Sequence, residues 1–252
     1  MELRTSQEID IMAEGGRRLG AVLQHLKKEV RVGVTTLALD RTARTLIMAG
    51  GDTPAFLNYR PEGATHAYPY TLCASVNDVV VHGQPSSYVL REGDIIKLDL
   101  GLKHKGFYLD AAITVPVGKI ESRYKKLIAV TEESLGAGIK EAKAGRTVGD
   151  IGWAIERVIR KNKLSVAEGL TGHGIGRSLH EDPIVFNFGD KGTGTRLVPG
   201  MVLAIEPMIA VGGGAIVQLK DESYGTADRS WAAHFEHTVA ITGGAAVILT
   251  KV

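Results

Sequence analysis

Residues 94–115 read DIIKLDLGLKHKGFYLDAAITV, two apolar runs joined by a short polar turn. Runs of this length around a tight turn predict a β-hairpin. Each run carries an aspartate, Asp99 and Asp110. A carboxylate in a buried strand is costly unless a cation or a donor lies beside it. With the turn centred on His104 and Lys105 the two aspartates face each other directly, Cβ atoms about 4.5–5.5 Å apart; a bulge at Gly106 makes them diagonal neighbours. Directly opposed, both carboxylates can reach one point, and in a dry site their mutual repulsion raises one pKa. A shared proton relieves this, and a bound divalent metal relieves it better.

Around the hairpin the chain reads as two similar halves. Thr5 to Glu8 (TSQE) has the spacing of a helix-capping box, and Ile9, Met12, Leu19, Val22, Leu23 and Leu26 follow at helical intervals. A second helix is predicted over VGVTTLALDRTARTLIMAGG, closed by Gly50 and Gly51. The proline- and tyrosine-rich loop NYRPEGATHAYPY leads to strands predicted over 71–81, 94–101 and 107–115. The second half repeats the plan with ESRYKKLIAVTEESLGAGIKEA and AGRTVGDIGWAIERVIRKN, the latter capped by Thr147 and Asp150. With Gly33 set on Gly145, Leu39, Ala43, Leu46 and Ile47 fall on Ile151, Ile155, Val158 and Ile159. Likewise EGDIIKLD (92–99) matches PGMVLAIE (199–206) in residue type, which sets Asp99 on Glu206. Offsets of 112 and 107 residues fit a duplicated unit with small loop differences. The expectation is one α/β (α+β) domain, residues 1–252, with halves of approximately 1–118 and 119–252 facing each other across a central site.

The composition sets bounds. Of 252 residues 44% are apolar and 23% charged, ordinary for a globular protein. Thirty basic and 28 acidic side chains leave +2, which gives no electrostatic case for nucleic acid or an anionic membrane as a main partner. No apolar run approaches the roughly 18 residues of a membrane span, and the start MELRTSQEID is unlike a signal peptide. Cys73 is the one cysteine, which rules out an internal disulfide and cysteine-based zinc fingers. A reduced, cytoplasmic setting is expected.

Three further residues join the aspartates. Glu206 ends the strand-like MVLAIE, Glu236 lies in the strand-like WAAHFEHTVAI, and His173 sits in GLTGHGIGRSLHEDP among glycines that allow close backbone approach. GHGIG lacks the GKS/T ending of a phosphate loop. Taken singly, each acid reads as a salt-bridged structural residue and the histidine as an ordinary loop residue. Taken together, four carboxylates and one imidazole suit two adjacent divalent ions such as Mn, Fe, Co or Zn. Such a pair lowers the pKa of a shared water and polarises a carbonyl.

At these residues the chain resembles the type I methionine aminopeptidases. The match runs over nearly the whole chain, through SVNDVVVHG (75–83), KLDLGLKHKGFYLDAAITV (97–115), GHGIGRSLHEDP (172–183), PGMVLAIEP (199–207) and FEHTVAIT (235–242). The five-residue ligand pattern alone marks the wider pita-bread superfamily, which includes prolidases and aminopeptidase P. SVN-x-VVVHG, GHGIGR-x-x-HE and the short chain favour the methionine enzyme in its minimal bacterial form. The resemblance implies a pita-bread fold, with two pseudo-symmetric halves and a central antiparallel sheet covered by helices. It also implies a cytoplasmic hydrolase that removes the initiator methionine from nascent chains, preferably ahead of a small residue. Contact with the ribosome would be transient and the enzyme monomeric.

Carried over by motif, Asp99 ligates one metal, Asp110 and Glu236 bridge both, and His173 and Glu206 complete the other site. Glu206 is also the general base, His180 contacts the substrate carbonyl and its oxyanion, and His82 contacts the peptide near the scissile nitrogen. Cys73 and Tyr68 match pocket positions. Leu179 departs from the family, which usually has an aromatic there; the 58–70 loop also departs, and 220–230 offers no pocket tryptophan. Two competing readings are a prolidase or aminopeptidase P-like peptidase and a pita-bread binding protein without catalysis. The complete ligand set weighs against the second.

Overall fold

The computed structural model describes residues 2–60 and 65–251, so residues 61–64 of the 58–70 loop lie outside the described residues. In chain order the elements are α1 (Ser6–Glu29), α2 (Thr36–Ala49), β1 (Thr53–Pro54), β2 (Leu72–Val76), β3 (Val79–Val81), β4 (Ile95–His104) and β5 (Phe107–Pro116). There follow α3 (Ser122–Glu141), α4 (Val148–Lys161), β6 (Ser165–Val166), β7 (Gly172–Gly174), β8 (Glu181–Val185), β9 (Val202–Ile205) and β10 (Met208–Ala210). The last are β11 (Ile216–Gln218), β12 (Tyr224–Thr226), β13 (Ala232–His234), β14 (Glu236–Ala240) and β15 (Val247–Ile248). Nine strands form one antiparallel sheet in the order β1-β4-β5-β14-β9-β7-β8, with β2 beside β4 and β15 beside β14. Two three-stranded sheets, β13-β10-β6 and β11-β12-β3, flank it.

Local chemistry sets the helix ends. The Thr5 and Thr147 hydroxyls each accept from the third residue on, and Glu8 and Asp150 reach back to the cap backbone. Both predicted capping boxes therefore form, satisfying N–H groups with no partner inside the helix. Of the residues its periodicity places on one face, Met12, Leu19, Val22, Leu23 and Leu26 are buried and Ile9 is half-buried. That face packs on β4 and β5.

The two halves repeat at the level of single hydrogen bonds. Gly33 N donates to Leu90 O at 2.9 Å and Leu90 N to Val34 O at 2.8 Å; Gly145 N donates to Leu197 O at 2.9 Å and Leu197 N to Arg146 O at 2.8 Å. Gly33 and Gly145 hold φ of 90° and 89°, a region glycine enters without the Cβ penalty. Leu39, Ala43 and Ile47 are buried with Leu46 half-buried, and Ile151, Ile155, Ile159 and Val158 repeat that pattern.

Three strand expectations are corrected. The hairpin turns on Lys105 and Gly106, φ 46° and 91°, which suit the right-handed twist of the strands better than a turn one residue earlier. Asp99 therefore faces Ala112 and Asp110 faces Gly101. The aspartates are diagonal neighbours with no bulge. The run 71–81 breaks into β2 and β3 because Asn77 turns left-handed at φ 51°. Its amide donates to Asp94 at 2.9 Å and accepts from Ile95 N at 3.0 Å, so the corner is held by its own side chain. The run 231–241 changes sheets at Phe235, with β13 on β10 and β14 between β5 and β9.

Close packing of α1 gives a stability test. A Cβ on Gly16 would overlap the carbonyl of Leu249, which is backbone and cannot rotate away. Helix propensity alone predicts that Gly16→Ala gains about 1 kcal/mol. Overpacking costs about 1–3 kcal/mol in such sites. The variant is expected to lose stability, and a gain in its denaturant midpoint would show that the contact is loose.

Candidate metal centre

Strand register alone brings the sequence-predicted acids together. Directly opposed residues of an antiparallel pair point to the same face, as do residues two apart in one strand. Asp99 faces Ala112, and Ala112 faces Glu236. Asp110 is two residues before Ala112 and shares that face. His237 pairs with Ile205, so one more step sets Glu206 opposite Glu236. His173 faces Ala204, two residues before Glu206. Five side chains from four strands and one strand end thus converge on one face of the central sheet.

The atomic geometry agrees. His173 Nε2 lies 3.5 Å from Glu206 Oε1. Ligand atoms of Asp110, His173 and Glu236 lie within 4.8 Å of one another, and so do those of Glu206, His234 and Glu236. Asp99, Asp110 and Glu236 are buried, whereas the His173 and Glu206 side chains keep 12% and 13% exposure. The pocket therefore opens on the His173 and Glu206 side. His173 Nδ1 donates to Gly174 O at 2.8 Å, which leaves Nε2 with its lone pair toward the acids. Thr238 fixes the Asp110 backbone from both sides, accepting from its N–H at 3.0 Å and donating to its carbonyl at 2.8 Å.

A divalent cation fits this donor set. Asp99 Oδ1, Asp110 Oδ1 and Glu236 Oε1 are buried without a hydrogen-bond partner, a costly state for a lone-pair oxygen unless a cation takes it. Burial, reinforced by neighbouring acids, drives the carboxyls of Asp110 and Glu236 well above the usual range, and burial drives Glu206 up as well. Asp99 is pushed up to about 7 by burial. Burial pushes His173 down to about 3, so its imidazole is neutral at physiological pH, the state a metal needs.

The expected histidines line the mouth. His180 and His173 rings meet edge to face at 4.4 Å. His82 keeps an exposed edge at φ 58°. Lost hydration, then repulsion from His180 and His234, push it down to about 4. Glu181, next to His180, accepts from Ser178 N at 3.0 Å and from the buried Arg4 guanidinium at 2.5 and 2.7 Å. The N-terminal arm thereby pins the loop that carries His180.

Of the three expected pocket positions, Cys73 and Tyr68 lie side by side. Cys73 faces Asp99 across β2 and β4, and Leu179 is buried beside His180. The Tyr68 hydroxyl donates to Leu72 O at 3.0 Å and Gly83 O at 3.1 Å. Burial and the Asp99 charge push the Cys73 thiol well up, so it is an apolar wall and no nucleophile.

Four contributors escape a sequence reading. Tyr59 O–H lies 2.7 Å from His180 Nδ1, brought there because residues 58 and 59 pair with Tyr68 across the loop. Tyr224 meets the His82 ring edge to face at 5.9 Å, and Trp231 stacks on Tyr124 at 3.8 Å. Asn187 donates to Glu206 O at 3.0 Å. His234 lies 3.5 Å from Glu206 Oε2, and its H-x-E spacing to Glu236 was the available signal.

Residues 10–243 match the model of metallopeptidase family M24. A methionine aminopeptidase of Clostridium perfringens is 44% identical over 251 residues, covering 99% of this chain and 98% of that protein. The crystal structure of methionine aminopeptidase from Rickettsia prowazekii superposes with a TM-score of 0.95 at 34% identity, covering 99% of both chains. A prolidase from Pyrococcus furiosus shares the fold at a TM-score of 0.78 and 21% identity, but only 65% of its chain is covered. The chain belongs to metallopeptidase family M24, among its bacterial methionine aminopeptidases.

Proposed function

We propose that the protein hydrolyses the bond after an N-terminal methionine, acting on new polypeptides and preferring a small second residue. The observation that carries this is the convergence of Asp99, Asp110, His173, Glu206 and Glu236 on one sheet face beneath His82 and His180. Two divalent ions, of Mn, Fe, Co or Zn, suit the site because the two donor groups there share Glu236. When bound, the metal supplies a water acidic enough to attack at neutral pH and a Lewis-acidic contact for the carbonyl oxygen.

The chain's own residues perform the rest. Glu206, whose ionised form a cation beside it would favour, would accept the proton of the attacking water on its carboxylate. Glu206 then passes that proton to the departing amine. His180, oriented through Nδ1 by Tyr59, has Nε2 free to meet the substrate carbonyl and its developing oxyanion. His82, across the mouth, contacts the peptide near the scissile nitrogen. Cys73, Tyr68 and Leu179 are the residues we assign to an apolar slot for an unbranched thioether. Residues 1–252 act as one catalytic domain, in the cytoplasm, as a monomer that meets the ribosome in passing. Among the described residues no helix is long and apolar enough to cross a membrane.

Purified protein loaded with Mn or Co and given Met-Ala-Ser is expected to release free methionine. Release of residues ahead of proline, with Met-Ala-Ser untouched, would overturn this in favour of a prolidase activity.

A further inference from the structure

The chemistry above assigns no part to His234, although it is the most enclosed imidazole of the site. Its side chain is 1% exposed. Neither ring nitrogen has a hydrogen-bond partner. Buried histidines ordinarily satisfy at least one of them. Its backbone is held on both sides by Thr114, whose hydroxyl accepts from His234 N at 2.9 Å and donates to His234 O at 2.7 Å. Pairing with Met208 in the β13-β10 sheet fixes it further. The ring is therefore aimed by the fold, with nothing in the protein to bond to.

What it faces is a pair of carboxylates. His234 Nε2 lies 3.5 Å from Glu206 Oε2 and 4.0 Å from Glu236 Oε2. Donors around a tetrahedral ion, with bonds of about 2.0–2.1 Å, sit about 3.3 Å apart. The spacing to Glu206 is close to that edge and too long for a good hydrogen bond. His173 Nε2 stands at the same 3.5 Å from the other oxygen, Oε1, of Glu206. The glutamate thus lies between two imidazoles, one on each oxygen.

We propose that His234 is an additional metal ligand, binding through Nε2 on the Glu206 Oε2 side of the pocket. The donor set then has two imidazoles and four carboxylates. The added nitrogen shifts the site toward borderline ions such as Co, Fe or Zn and away from Mg. The proposal rests on the reading of this pocket as a divalent-metal centre.

Titration of the metal-free protein with Co(II), followed by calorimetry and proton NMR, tests it without any turnover. An imidazole bound through Nε2 shows its Nδ1–H as a paramagnetically shifted, exchangeable resonance. The parent protein is expected to show two such signals, from His173 and His234. His234→Gln is expected to keep one and to bind Co(II) at least about tenfold more weakly. Circular dichroism confirms that the variant is folded, and the glutamine keeps a polar group of similar reach in case alanine there does not fold. One shifted signal in the parent, unchanged by His234→Gln together with the affinity, overturns the proposal and leaves the metal centre standing. No Co(II) binding by the parent overturns both.

Discussion

Replacing His173 with alanine is expected to lower turnover of Met-Ala-Ser by about a thousandfold or more, with the fold intact. The reason lies in how the residue is mounted. Strand β7 is held by its neighbours through Gly172 and Gly174, where a Cβ would overlap the carbonyls of Ala204 and Asp182. The backbone at residue 173 therefore stays in place whatever side chain it carries. The imidazole itself makes one hydrogen bond, to Gly174 O, meets the His180 ring edge to face, and otherwise faces the acids. Its loss costs little stability in the metal-free protein and removes one donor from the centre. A thousandfold corresponds to about 4 kcal/mol of transition-state stabilisation, a modest share of what metal-assisted attack supplies. The check is kcat/KM for the variant beside its metal-free melting temperature. Turnover within tenfold of the parent would show that the imidazole is not part of the machinery.

Acid is expected to strip the metal and abolish turnover together. Burial pushes the Asp99 carboxyl up to about 7 and is the first cause that holds Asp110, Glu206 and Glu236 well above the usual carboxylate range. Their unfolded values lie near 4. Between about pH 4 and 7 the folded state therefore holds more protons at these groups than the unfolded chain. Through them, metal-free stability falls as pH rises across that window. His173 and His234, lowered to about 3 and about 4 by burial, act in the opposite sense up to their unfolded pKa near 6.5. Metal must displace the carboxyl protons, so binding at neutral pH releases protons and weakens as pH falls. With free metal at about 1,000 times Kd, the stabilisation is about 4 kcal/mol, or about 8–16 °C in melting temperature for a chain of this size. Calorimetry in buffers of different ionisation enthalpy measures the proton release, and melting with and without metal at pH 7.5 and 5 measures the gain. Activity and melting gain that stay flat down to about pH 4 would contradict the linkage.

Much of this was legible because buried charge is expensive. Two aspartates in apolar strands and two acids at matched positions of a repeat demand an explanation before any fold is known. Capping residues, apolar periodicity and the Gly33 and Gly145 turns were local signals, and they locate the helices. The register of Asp99 against Asp110 was not legible, because it depends on Lys105 adopting a positive φ beside Gly106. Tyr59 and Tyr224 reach the mouth only through pairings across loops, which no periodicity encodes. His234 was legible, since in a strand over 231–241 it lies two residues before Glu236 and so on the same face, but taken alone it reads as an ordinary strand histidine. The roles of His82 and His180 came from motif resemblance, since a lone histidine in a loop carries no pattern of its own.

Crystals grown with Mn or Co and measured at the metal's absorption edge test the central claim directly. Anomalous density should show two peaks about 3.5–4 Å apart, enclosed by the side chains of residues 99, 110, 173, 206 and 236. Peaks only at the protein surface, with that pocket free of metal under saturating conditions, would contradict it.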